Sequence, residues 1–218
     1  MFTGLVETVG KVMAIDHRGE DFAVTINASG LDVSAITLGD SIAVSGVCLT
    51  VTQKTATDIA MDVSKETIDC TNFKELQPGT EVNLEQAVTP TTRLGGHLVS
   101  GHVDGLGTVE FMREDSRSVR IGIRVPQALA KYIAVKGSVC MDGVSLTINN
   151  VDDTLFDVNI IPHTMQMTTL KHYQVGRMVN IEVDVVARYL ERLLTCQEKN
   201  DGSNISKAFL MEHGFKSE

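Results

Sequence analysis

The sequence GVCLTV, from Gly46 to Val51, returns 97 residues later as GVSLTI, from Gly143 to Ile148. In each copy apolar residues alternate with small polar ones, which is typical of a strand with one buried face. A short apolar run and a turn dipeptide, Ser45-Gly46 or Asp142-Gly143, begin each hairpin. Asp-Gly between apolar runs is a strong signal for a tight turn with positive φ at both central residues, and Ser-Gly is a weaker one. Each copy is therefore predicted to be the second strand of a hairpin.

The repetition extends over most of the chain, since residues 1–86 align with residues 98–183 without a gap. Matches that keep one spacing over such a length indicate an internal duplication. The identical pairs include Gly4 and Gly101, Val6 and Val103, Ser41 and Ser138, Thr67 and Thr164, Asn83 and Asn180, and Glu85 and Glu182. The chain is therefore predicted to be a duplicated domain.

Two positions break the repetition chemically. Cys48 stands where the second copy has Ser145, and Leu5 stands where it has His102. For one copy alone, an ordinary half-buried strand with its polar face toward solvent would be the better interpretation. Two copies favour paired pockets instead: similar pockets favour similar ligands, and different reactive groups favour different fates for those ligands.

Each copy shows about six short strands separated by turn signals, a pattern that favours an all-β fold. Closure of the six strands into a barrel would remove the exposed sheet edges, so we predict two small antiparallel barrels. Short polar stretches at 65–73 and 163–170 predict one or two helical turns in each copy. Thr89–Gly96, rich in Thr, Gly and Pro, is predicted to be a linker. Strands are predicted at 5–15, 22–26, 42–44, 47–51, 58–63 and 81–85, and at 103–112, 119–125, 139–141, 144–148, 155–161 and 178–182.

The hydrophobic period changes after residue 185. Tyr189, Leu190, Leu193 and Leu194 recur at helical spacing and predict a helix outside both repeats. Its apolar stripe needs a partner, either a barrel or copies of the same helix in an oligomer, and we favour the second. Residues 197–204 are polar and expected to be mobile, and 205–215 are predicted to form a final short helix. The predicted domains are 1–97, 98–186 and 187–218.

Length and charge exclude several classes of protein. A chain of 218 residues suits two domains of about 100 residues each. Its net charge of −9 disfavours nucleic acids and anionic membranes as partners. We expect no membrane span, because apolar runs are too short, and no targeting segment, because Met1-Phe2-Thr3-Gly4 lacks a basic flank.

The cysteines and histidines do not form a metal-binding or disulfide pattern. The four cysteines are widely spaced without a Cys-x-x-Cys pair, so reduced thiols in a cytoplasmic protein are expected. His97 and His102 are five residues apart, which is a poor spacing for a metal pair. There is neither a Walker-type glycine loop nor a dinucleotide fingerprint after a strand. No metal or organic cofactor is therefore predicted.

Several motifs together give the chain a specific resemblance to the riboflavin synthase family. They are MFTG at 1–4, GVCLTV at 46–51, GGHLVSGHV at 95–103 and GVSLT at 143–147, extended by NLE at 83–85 and NIEVD at 180–184. The resemblance covers about residues 1–195, in order and with the duplication. Ser45 departs from the asparagine common in that turn, which concerns turn geometry rather than chemistry. The tail after Cys196 is variable in the family.

The resemblance implies two six-stranded Greek-key barrels and a C-terminal helix that helps to assemble a homotrimer. It implies a dismutation in which two molecules of 6,7-dimethyl-8-ribityllumazine exchange a four-carbon unit, giving riboflavin and 5-amino-6-ribitylamino-2,4-pyrimidinedione without a cofactor. One substrate would sit on each barrel, and the reacting pair would meet between the N-barrel of one subunit and the C-barrel of its neighbour. Holding two identical molecules in opposed orientation would then supply much of the acceleration. Association with lumazine synthase is a further possible partnership.

Site residues follow from the resemblance motif by motif, one set for each barrel. Lys136 is expected to reach a ligand across the subunit boundary. The N-barrel set is Gly4, Leu5, Val6, Cys48, Leu49, Thr50, Asp62, Val63, Ser64, Lys65, Glu66 and Thr67. The C-barrel set is Gly101, His102, Val103, Ser145, Leu146, Thr147, Asn159, Ile160, Ile161, Pro162, His163 and Thr164.

Roles within these sets rest on chemistry. His102 suits removal of a proton from the acidic C7 methyl group of one lumazine. Cys48 or Ser41 could add to the other lumazine or position the water that does so, and a thiolate is the better nucleophile. Ser145, Thr147 and Asp184 are expected to hydrogen-bond and orient the ligand, although Asp184 could equally be a plain surface carboxylate. The pseudo-symmetry leaves open which barrel holds the donor.

Two alternatives remain at this point. Lumazine- or flavin-binding antenna proteins of luminous bacteria share the duplicated fold, but they depart from the Cys-Leu-Thr motif and the reactive histidine that this chain keeps. A flavin-dependent oxidoreductase could use a similar barrel, but the chain lacks a second nucleotide-binding domain. The enzyme is the favoured interpretation.

Overall fold

A computed structural model describes residues 1–200, including the side chains of residues 1–196. Residues 1–185 form one compact unit that contains both repeats, and a second unit begins at Val186. None of the helices in the described residues is long and apolar enough to cross a membrane.

The first repeat forms a closed antiparallel barrel of six strands. The strands are β1 (Thr8–Arg18), β2 (Asp21–Asn27), β3 (Ser41–Val44), β4 (Val47–Lys54), β5 (Asp58–Val63) and β6 (Glu81–Gln86). They follow the order β1-β2-β5-β4-β3-β6 around the barrel, and β6 closes on β1. Alternate residues of β2 and β5 point inward, so that Val24, Ile59 and Met61 are fully buried. The period-2 pattern of the sequence thus forms the barrel core.

The second repeat forms a barrel of the same topology. Its strands are β7 (Gly105–Asp115), β8 (Ser118–Arg124), β9 (Ser138–Met141), β10 (Val144–Asp152), β11 (Leu155–Ile160) and β12 (Met178–Val183). Their order around the barrel corresponds strand for strand to that of the first repeat. Its separate core includes Ile121, Phe156 and Val158. The predicted all-β class, with two tandem six-stranded antiparallel barrels, is therefore confirmed.

Short helices lie between the strands, and the first and third of them occupy the two places predicted for helical turns. They are α1 (Lys65–Cys70), α2 (Gln127–Ala130) and α3 (Pro162–Met167), and 3₁₀ turns follow α1 and α3 at Asn72–Glu75 and Thr169–His172. Ser64 caps α1, because its Oγ accepts a hydrogen bond from the backbone N–H of Thr67 at 3.3 Å. In α3 the chain begins with Pro162 at the first helical turn, where a missing N–H costs nothing.

The two repeated hairpins have the predicted turn geometry and meet each other. Ser45 and Gly46 have φ of 44° and 81°, and Asp142 and Gly143 have φ of 43° and 83°. A Cβ atom on Gly46 would lie 2.7 Å from the backbone nitrogen of Gly143, so neither glycine can carry a side chain without displacing the other turn. The stretch that reveals the duplication thus also forms the contact between the two barrels.

Buried polar groups complete this contact. The carboxylate of Asp142 accepts hydrogen bonds from the Tyr173 hydroxyl at 2.7 Å and from the Asn180 backbone at 2.8 Å. The Asn180 amide donates to the Ser45 carbonyl at 2.9 Å, and the Asn83 amide donates to the Asp142 carbonyl at 2.8 Å. Each barrel therefore satisfies backbone groups of the other, which buried polar groups require.

The C-terminal helix α4 (Val185–Asn200) is longer than the sequence predicted, since it includes residues 197–200 of the stretch 197–204 that was expected to be mobile. Residues 201–204 lie outside the described residues. Its large apolar side chains are more than half exposed: Val186, Tyr189, Leu190, Leu193 and Leu194. The predicted final helix at 205–215 lies outside the described residues.

Candidate functional site

Two N-terminal arms, residues 1–7 and residues 98–104, cross between the barrels. The arms pair with each other, since Phe2 N–H donates to the Val99 carbonyl at 2.7 Å and Val99 N–H donates back at 3.1 Å. Val6 packs against the core of the second barrel, and Val103 packs against the core of the first. Each repeat therefore places its arm on the barrel of the other repeat.

This exchange corrects the grouping that the sequence suggested. Gly4, Leu5 and Val6 were expected beside Cys48, but the Gly4 carbonyl accepts a hydrogen bond from the backbone N–H of Ser145 at 2.7 Å. The Gly101 carbonyl accepts the corresponding bond from Cys48 at 2.9 Å. The expected grouping was wrong because a sequence repeat shows which positions are equivalent but not which copy each one contacts. The exchange resembles domain swapping within a single chain.

A buried glutamate holds each arm in place. Glu85 accepts from the Thr3 N–H and hydroxyl, both at 2.6 Å, and from the Gly4 N–H at 3.0 Å. Glu182 accepts from the Ser100 N–H and hydroxyl, both at 2.6 Å, and from the Gly101 N–H at 2.9 Å. Burial raises the pKa of both carboxyl groups, and these hydrogen bonds oppose that rise. The two clamps are chemically the same.

The sequence interpretation missed the role of these glutamates. Glu85 and Glu182 were noticed as identical repeat positions and as members of the family motifs, and neither was given a role. A usable signal was present: a hydroxyl residue also recurs one position before each arm glycine, as Thr3 and Ser100. A repeated acid together with a repeated hydroxyl-glycine dipeptide predicts a carboxylate that binds a turn of backbone N–H groups.

We call the region around Cys48, Thr50, Ser41 and arm residues 101–103 the first pocket; it lies where the second arm meets β4 of the first barrel. Cys48 and Thr50 lie on β4, and Ser41 on β3 pairs directly with Thr50. A Cβ atom on Gly101 would lie 2.6 Å from the Cys48 Cβ, which shows how closely the arm approaches the thiol. His102 is exposed and directly follows Gly101, the arm residue that contacts Cys48.

The strand ends place more of the expected residues at this pocket. β4 and β5 pair as far as Val51 and Met61, so Thr50 and Asp62 lie one residue beyond that pair at the same barrel end. Asp62, Val63 and Ser64 line an open cleft of about 330 Å³ together with Arg18, Asp21 and Phe22, a set that does not include Cys48, Thr50 or the arm. Lys65, Glu66 and Thr67 continue from there along the exposed first turn of α1. The side chain of Val63 itself is buried in the core.

Cys48 also touches an apolar cluster between the arms. The cluster consists of Phe2, Ala43, Val99 and Cys140, and the half-buried Cys48 packs against it. Cys140 pairs with Ser145 across β9 and β10, and burial raises the pKa of its thiol well above the usual value. Cys48 is therefore the more accessible of these two thiols, with one side apolar and the other open.

We call the corresponding region around Ser145, Thr147, arm residues 4–6 and His97 the second pocket; it lies where the first arm meets β10 of the second barrel. Ser145 is half-buried and Thr147 is exposed on β10. The Ser145 hydroxyl lies 2.7 Å from Nδ1 of His97, an imidazole that is only 9% exposed. Burial lowers the pKa of His97, and the nearby charge of Asp184 acts in the opposite direction. The sequence interpretation gave His97 no role.

The remaining expected residues surround this second pocket. Ile148 pairs with Val158, which places Thr147 and Asn159 one residue beyond the pair at the same barrel end. Leu146 packs on the core while Asp184 is half-buried after β12. The segment from β11 into α3 supplies Asn159, Ile160, Ile161, Pro162, His163 and Thr164.

Three residues that were expected to contact a ligand have side chains buried in the barrel cores. They are Leu49, Val63 and Ile160, whose solvent exposures are 5%, 0% and 1%. Only their backbone atoms remain available to a ligand. Sequence alternation already assigns Leu49 to the inward face, and its inclusion came from the neighbouring motif positions.

Lys136 has an unusual backbone for its residue type. Its φ is +67°, and the equivalent position of the first repeat is Gly39 with φ of +93°. The left-handed region favours glycine, so a lysine there is strained. Strain of this kind persists where the surrounding structure enforces it, often at functional positions. Lys136 is exposed, as a residue must be that binds something outside its own barrel.

The donor atoms do not suit a metal in the part of the chain that the structure describes. No group of three or more His, Cys, Asp or Glu side chains there could hold a metal ion. What the two pockets offer instead is a thiol, two imidazoles, hydroxyls and backbone carbonyls.

Comparison with known proteins identifies the family. Residues 3–87 and 100–184 each match the family model of the lumazine binding domain. The chain is 49% identical over 216 residues to the riboflavin synthase of Photobacterium phosphoreum, with 99% of both chains covered. It is 45% identical over 219 residues to that of Photobacterium leiognathi, with 100% of both covered. This chain belongs to the riboflavin synthase family. The resemblance that the motifs indicated is therefore confirmed, and the two matched segments correspond to the two barrels.

A solved structure with the same fold provides a further comparison. The crystal structure of LumP complexed with 6,7-dimethyl-8-(1'-D-ribityl)lumazine superposes with a TM-score of 0.76 at 25% identity. The match covers 84% of this chain and 99% of that one. At 25% identity, LumP is a more distant relative than the riboflavin synthases are.

Proposed function

We propose that this chain catalyses the dismutation of two 6,7-dimethyl-8-ribityllumazine molecules to riboflavin and 5-amino-6-ribitylamino-2,4-pyrimidinedione. Family membership supports the reaction class, since relatives at 40–49% identity over 99% or more of the chain are riboflavin synthases. The structural observation that supports the proposal is the arm exchange, in which the Gly101 carbonyl accepts a hydrogen bond from Cys48. Because His102 follows Gly101, we propose that His102 and Cys48 act on ligands at the same pocket. Two equivalent openings that differ in reactive groups suit a reaction whose two substrates are identical and whose products are not.

The roles proposed for the first pocket are those of a base and a nucleophile. His102 removes a proton from the C7 methyl group of one lumazine, because an imidazole can accept a proton near neutral pH. Cys48 adds to a lumazine or positions the water that does so, and Ser41 on the neighbouring strand is its alternative. The four-carbon unit, which is C6, C7 and their two methyl carbons, then passes from the donor to the acceptor lumazine. Two C–C bonds join it to the acceptor and form the new ring of riboflavin, and the two C–N bonds to the donor break, so that the donor nitrogens remain as the amino groups of the pyrimidinedione.

The roles proposed for the second pocket are binding and orientation. Ser145, Thr147 and Asp184 hydrogen-bond the second ligand, and Lys136 reaches a ligand on another subunit. The strained backbone and exposure of Lys136 support this last assignment. Opposed orientation of the two ligands contributes to the rate by removing the entropy cost of their encounter. We propose that neither a metal nor an organic cofactor takes part.

We propose a homotrimer in which α4 mediates assembly. The exposed apolar side chains of Tyr189, Leu190, Leu193 and Leu194 support an interface along this helix. Light scattering after size-exclusion chromatography tests the state, and a monomer in the native protein would refute it. A cytoplasmic location and an association with lumazine synthase belong to the same proposal and remain predictions.

The activity test needs only purified protein and 6,7-dimethyl-8-ribityllumazine. We expect riboflavin to appear, together with the pyrimidinedione in a one-to-one ratio. Tight binding of the lumazine without turnover would favour the second candidate, a non-catalytic lumazine-binding protein, which the structural similarity to LumP supports. If the protein neither binds the lumazine nor converts it, both candidates are refuted.

A further inference from the structure

His97 is a buried titratable group to which neither the sequence interpretation nor the proposed reaction assigns a role. It belongs to the linker before the second arm, and its N–H donates to the Thr3 carbonyl at 3.1 Å. The preceding Gly96 is in closer contact still, since a Cβ atom there would lie 2.0 Å from that carbonyl and 3.0 Å from the Ser145 Cβ. The linker therefore packs so closely against Thr3 and Ser145 that only glycine fits at position 96.

The two ring nitrogens of His97 have unlike surroundings. Nδ1 lies 2.7 Å from the Ser145 hydroxyl. Nε2 is buried and has no hydrogen-bond partner among the residues that the structure describes. Because burial lowers the pKa of this imidazole, the neutral ring is favoured, and one of the two nitrogens carries the single proton.

The position of that proton decides what Ser145 can do. A proton on Nε2 would leave a buried N–H without an acceptor, which is rare in native proteins, whereas an unpaired buried lone pair is tolerated more often. A proton on Nδ1 is satisfied by the Ser145 oxygen. In that tautomer the Ser145 hydroxyl accepts from His97 and must direct its own proton elsewhere.

We propose that His97 is a positioning residue that donates to Ser145 from Nδ1 and thereby fixes Ser145 as a hydrogen-bond donor to a carbonyl or ring-nitrogen acceptor of the ligand in the second pocket. The inference rests on the proposed function for the identity of the ligand. It assigns Ser145 a role opposite to that of a serine nucleophile, whose proton a histidine would accept. The two pockets then differ in kind, because one would hold a base and a thiol and the other a fixed donor.

The tautomer can be measured directly in the unliganded full-length protein. The ¹⁵N resonances of the histidine rings distinguish protonated from unprotonated nitrogens, and His97→Asn assigns the pair that belongs to His97. We expect a protonated Nδ1 and an unprotonated Nε2. A protonated Nε2 would overturn the proposal, whatever the protein's activity proves to be.

Binding measurements test the functional consequence. Binding of 6,7-dimethyl-8-ribityllumazine or riboflavin is measured first with Ser145→Ala. The binding step that this variant weakens is assigned to the second pocket. His97→Leu should weaken the same step about fivefold to tenfold, which is the loss expected for one hydrogen bond. His97→Asn, whose amide can donate from nearly the position of Nδ1, should restore it to within about twofold.

A double-mutant cycle separates positioning from a general loss of structure. If His97 acts through Ser145, the double variant His97→Leu/Ser145→Ala should bind no more weakly than Ser145→Ala alone. Additive losses, or equal losses in His97→Leu and His97→Asn, would overturn the proposal. His172→Leu, which removes an exposed histidine that contacts Glu81, serves as the matched control and should leave binding unchanged. If the double-mutant cycle gives the expected result but the protein shows no turnover, the proposed reaction is refuted and the positioning role of His97 stands.

Discussion

The first pocket and the second pocket occupy equivalent ends of two barrels with one topology, yet their borders are chemically unlike. Cys48 meets an apolar cluster on one side and the arm of His102 on the other. Ser145 meets the arm of Leu5 and the buried imidazole of His97. Duplication therefore supplied two similar sites, and a few substitutions made them different.

The arm exchange determines how these substitutions combine. Without exchange, Cys48 would lie beside Leu5 and Ser145 beside His102, and each pocket would hold one reactive group. With exchange, the arm that carries the exposed His102 lies against Cys48, and Ser145 keeps its hydroxyl beside the buried imidazole of His97. The asymmetry that the reaction needs thus depends on topology as much as on residue identity.

The largest expected effect comes from removing the reactive groups of the first pocket. His102→Ala should lower turnover about 10²- to 10⁴-fold, the range for loss of a positioned general base. Cys48→Ser should lower turnover at least about tenfold. The free energy of unfolding of both variants should stay within about 0.5 kcal/mol of the native value, because His102 is exposed and Cys48→Ser changes the size of the side chain little. Steady-state riboflavin formation and thermal unfolding measure the two quantities.

The matched changes in the second pocket sharpen this prediction. Leu5→Ala and Ser145→Ala should lower turnover less than the two first-pocket variants do. Equal losses in both pockets would show that the reactive groups are not gathered on one side. Native rates in His102→Ala and Cys48→Ser would remove the role assignments while leaving the fold intact.

The next effect concerns the glycines that bring the arms to the pockets. Gly101→Ala and Gly4→Ala each place a methyl group 2.6 Å from a Cβ atom, of Cys48 and of Ser145 respectively, at φ of +80° and +75°. We expect each variant to lose about 2–4 kcal/mol, combining backbone strain with overpacking. Gly19→Ala is the control, since its φ is +72° and nothing lies within 4 Å.

The control isolates the contact from the strain. Gly19→Ala should lose about 1 kcal/mol, from the left-handed backbone alone. Denaturant unfolding of the three variants gives the difference directly. A Gly101→Ala protein as stable as Gly19→Ala would mean that the arm does not approach Cys48 as closely as described.

A smaller effect is expected from the glutamate clamps. Glu85→Gln and Glu182→Gln keep the shape but replace a charged acceptor with a neutral one, so each should lose about 1–2 kcal/mol locally. Because Glu182 holds the arm that carries His102, Glu182→Gln should lower turnover more than Glu85→Gln does. Amide hydrogen exchange at Gly101 and Gly4 reports which arm has loosened. Faster exchange at Gly4 in Glu182→Gln, or at Gly101 in Glu85→Gln, would contradict the assignment of each glutamate to its arm.

Much of this arrangement could be predicted from the sequence, and the reason differs from element to element. The Asp142-Gly143 turn and the alternation in β2 and β5 are local signals, and the duplication strengthened each by repeating it. The strand starts at Thr8 and Gly105 were predicted two or three residues too early, because the arms are apolar and extended without being barrel strands. Local pattern cannot distinguish an arm from a strand.

The features that could not be predicted depend on contacts between the copies. An internal repeat makes Gly4 and Gly101 equivalent and is silent on which barrel each one touches. His97 lies outside the aligned segments 1–86 and 98–183, so repeat analysis gave it no counterpart and no role. Its importance follows from burial against Ser145, a long-range contact that residue types and spacing do not encode.

The smallest effect is a difference in acid stability between the native protein and His97→Asn. Burial holds the pKa of folded His97 below its ordinary value of 6.5 even though Asp184 acts in the opposite direction. The unfolded chain therefore binds a proton in a range where the folded protein does not, and stability falls as pH decreases below 6.5 toward the folded pKa. The asparagine variant lacks this term. Its free energy of unfolding should fall less than that of the native protein between pH 7.5 and pH 5.

The buried carboxyl groups do not obscure this comparison. Burial raises the pKa of Glu85, Glu182 and Asp142, so their contribution has the opposite sign and is lost as pH rises above their unfolded values. Both proteins contain these groups, so the terms cancel in the difference between the two denaturant titrations. A native protein that loses no more stability than His97→Asn in that interval would mean that the imidazole is not held neutral. Its hydrogen bond to Ser145 would then be made by a charged donor, and the second pocket would carry a positive charge where the first pocket has a thiol.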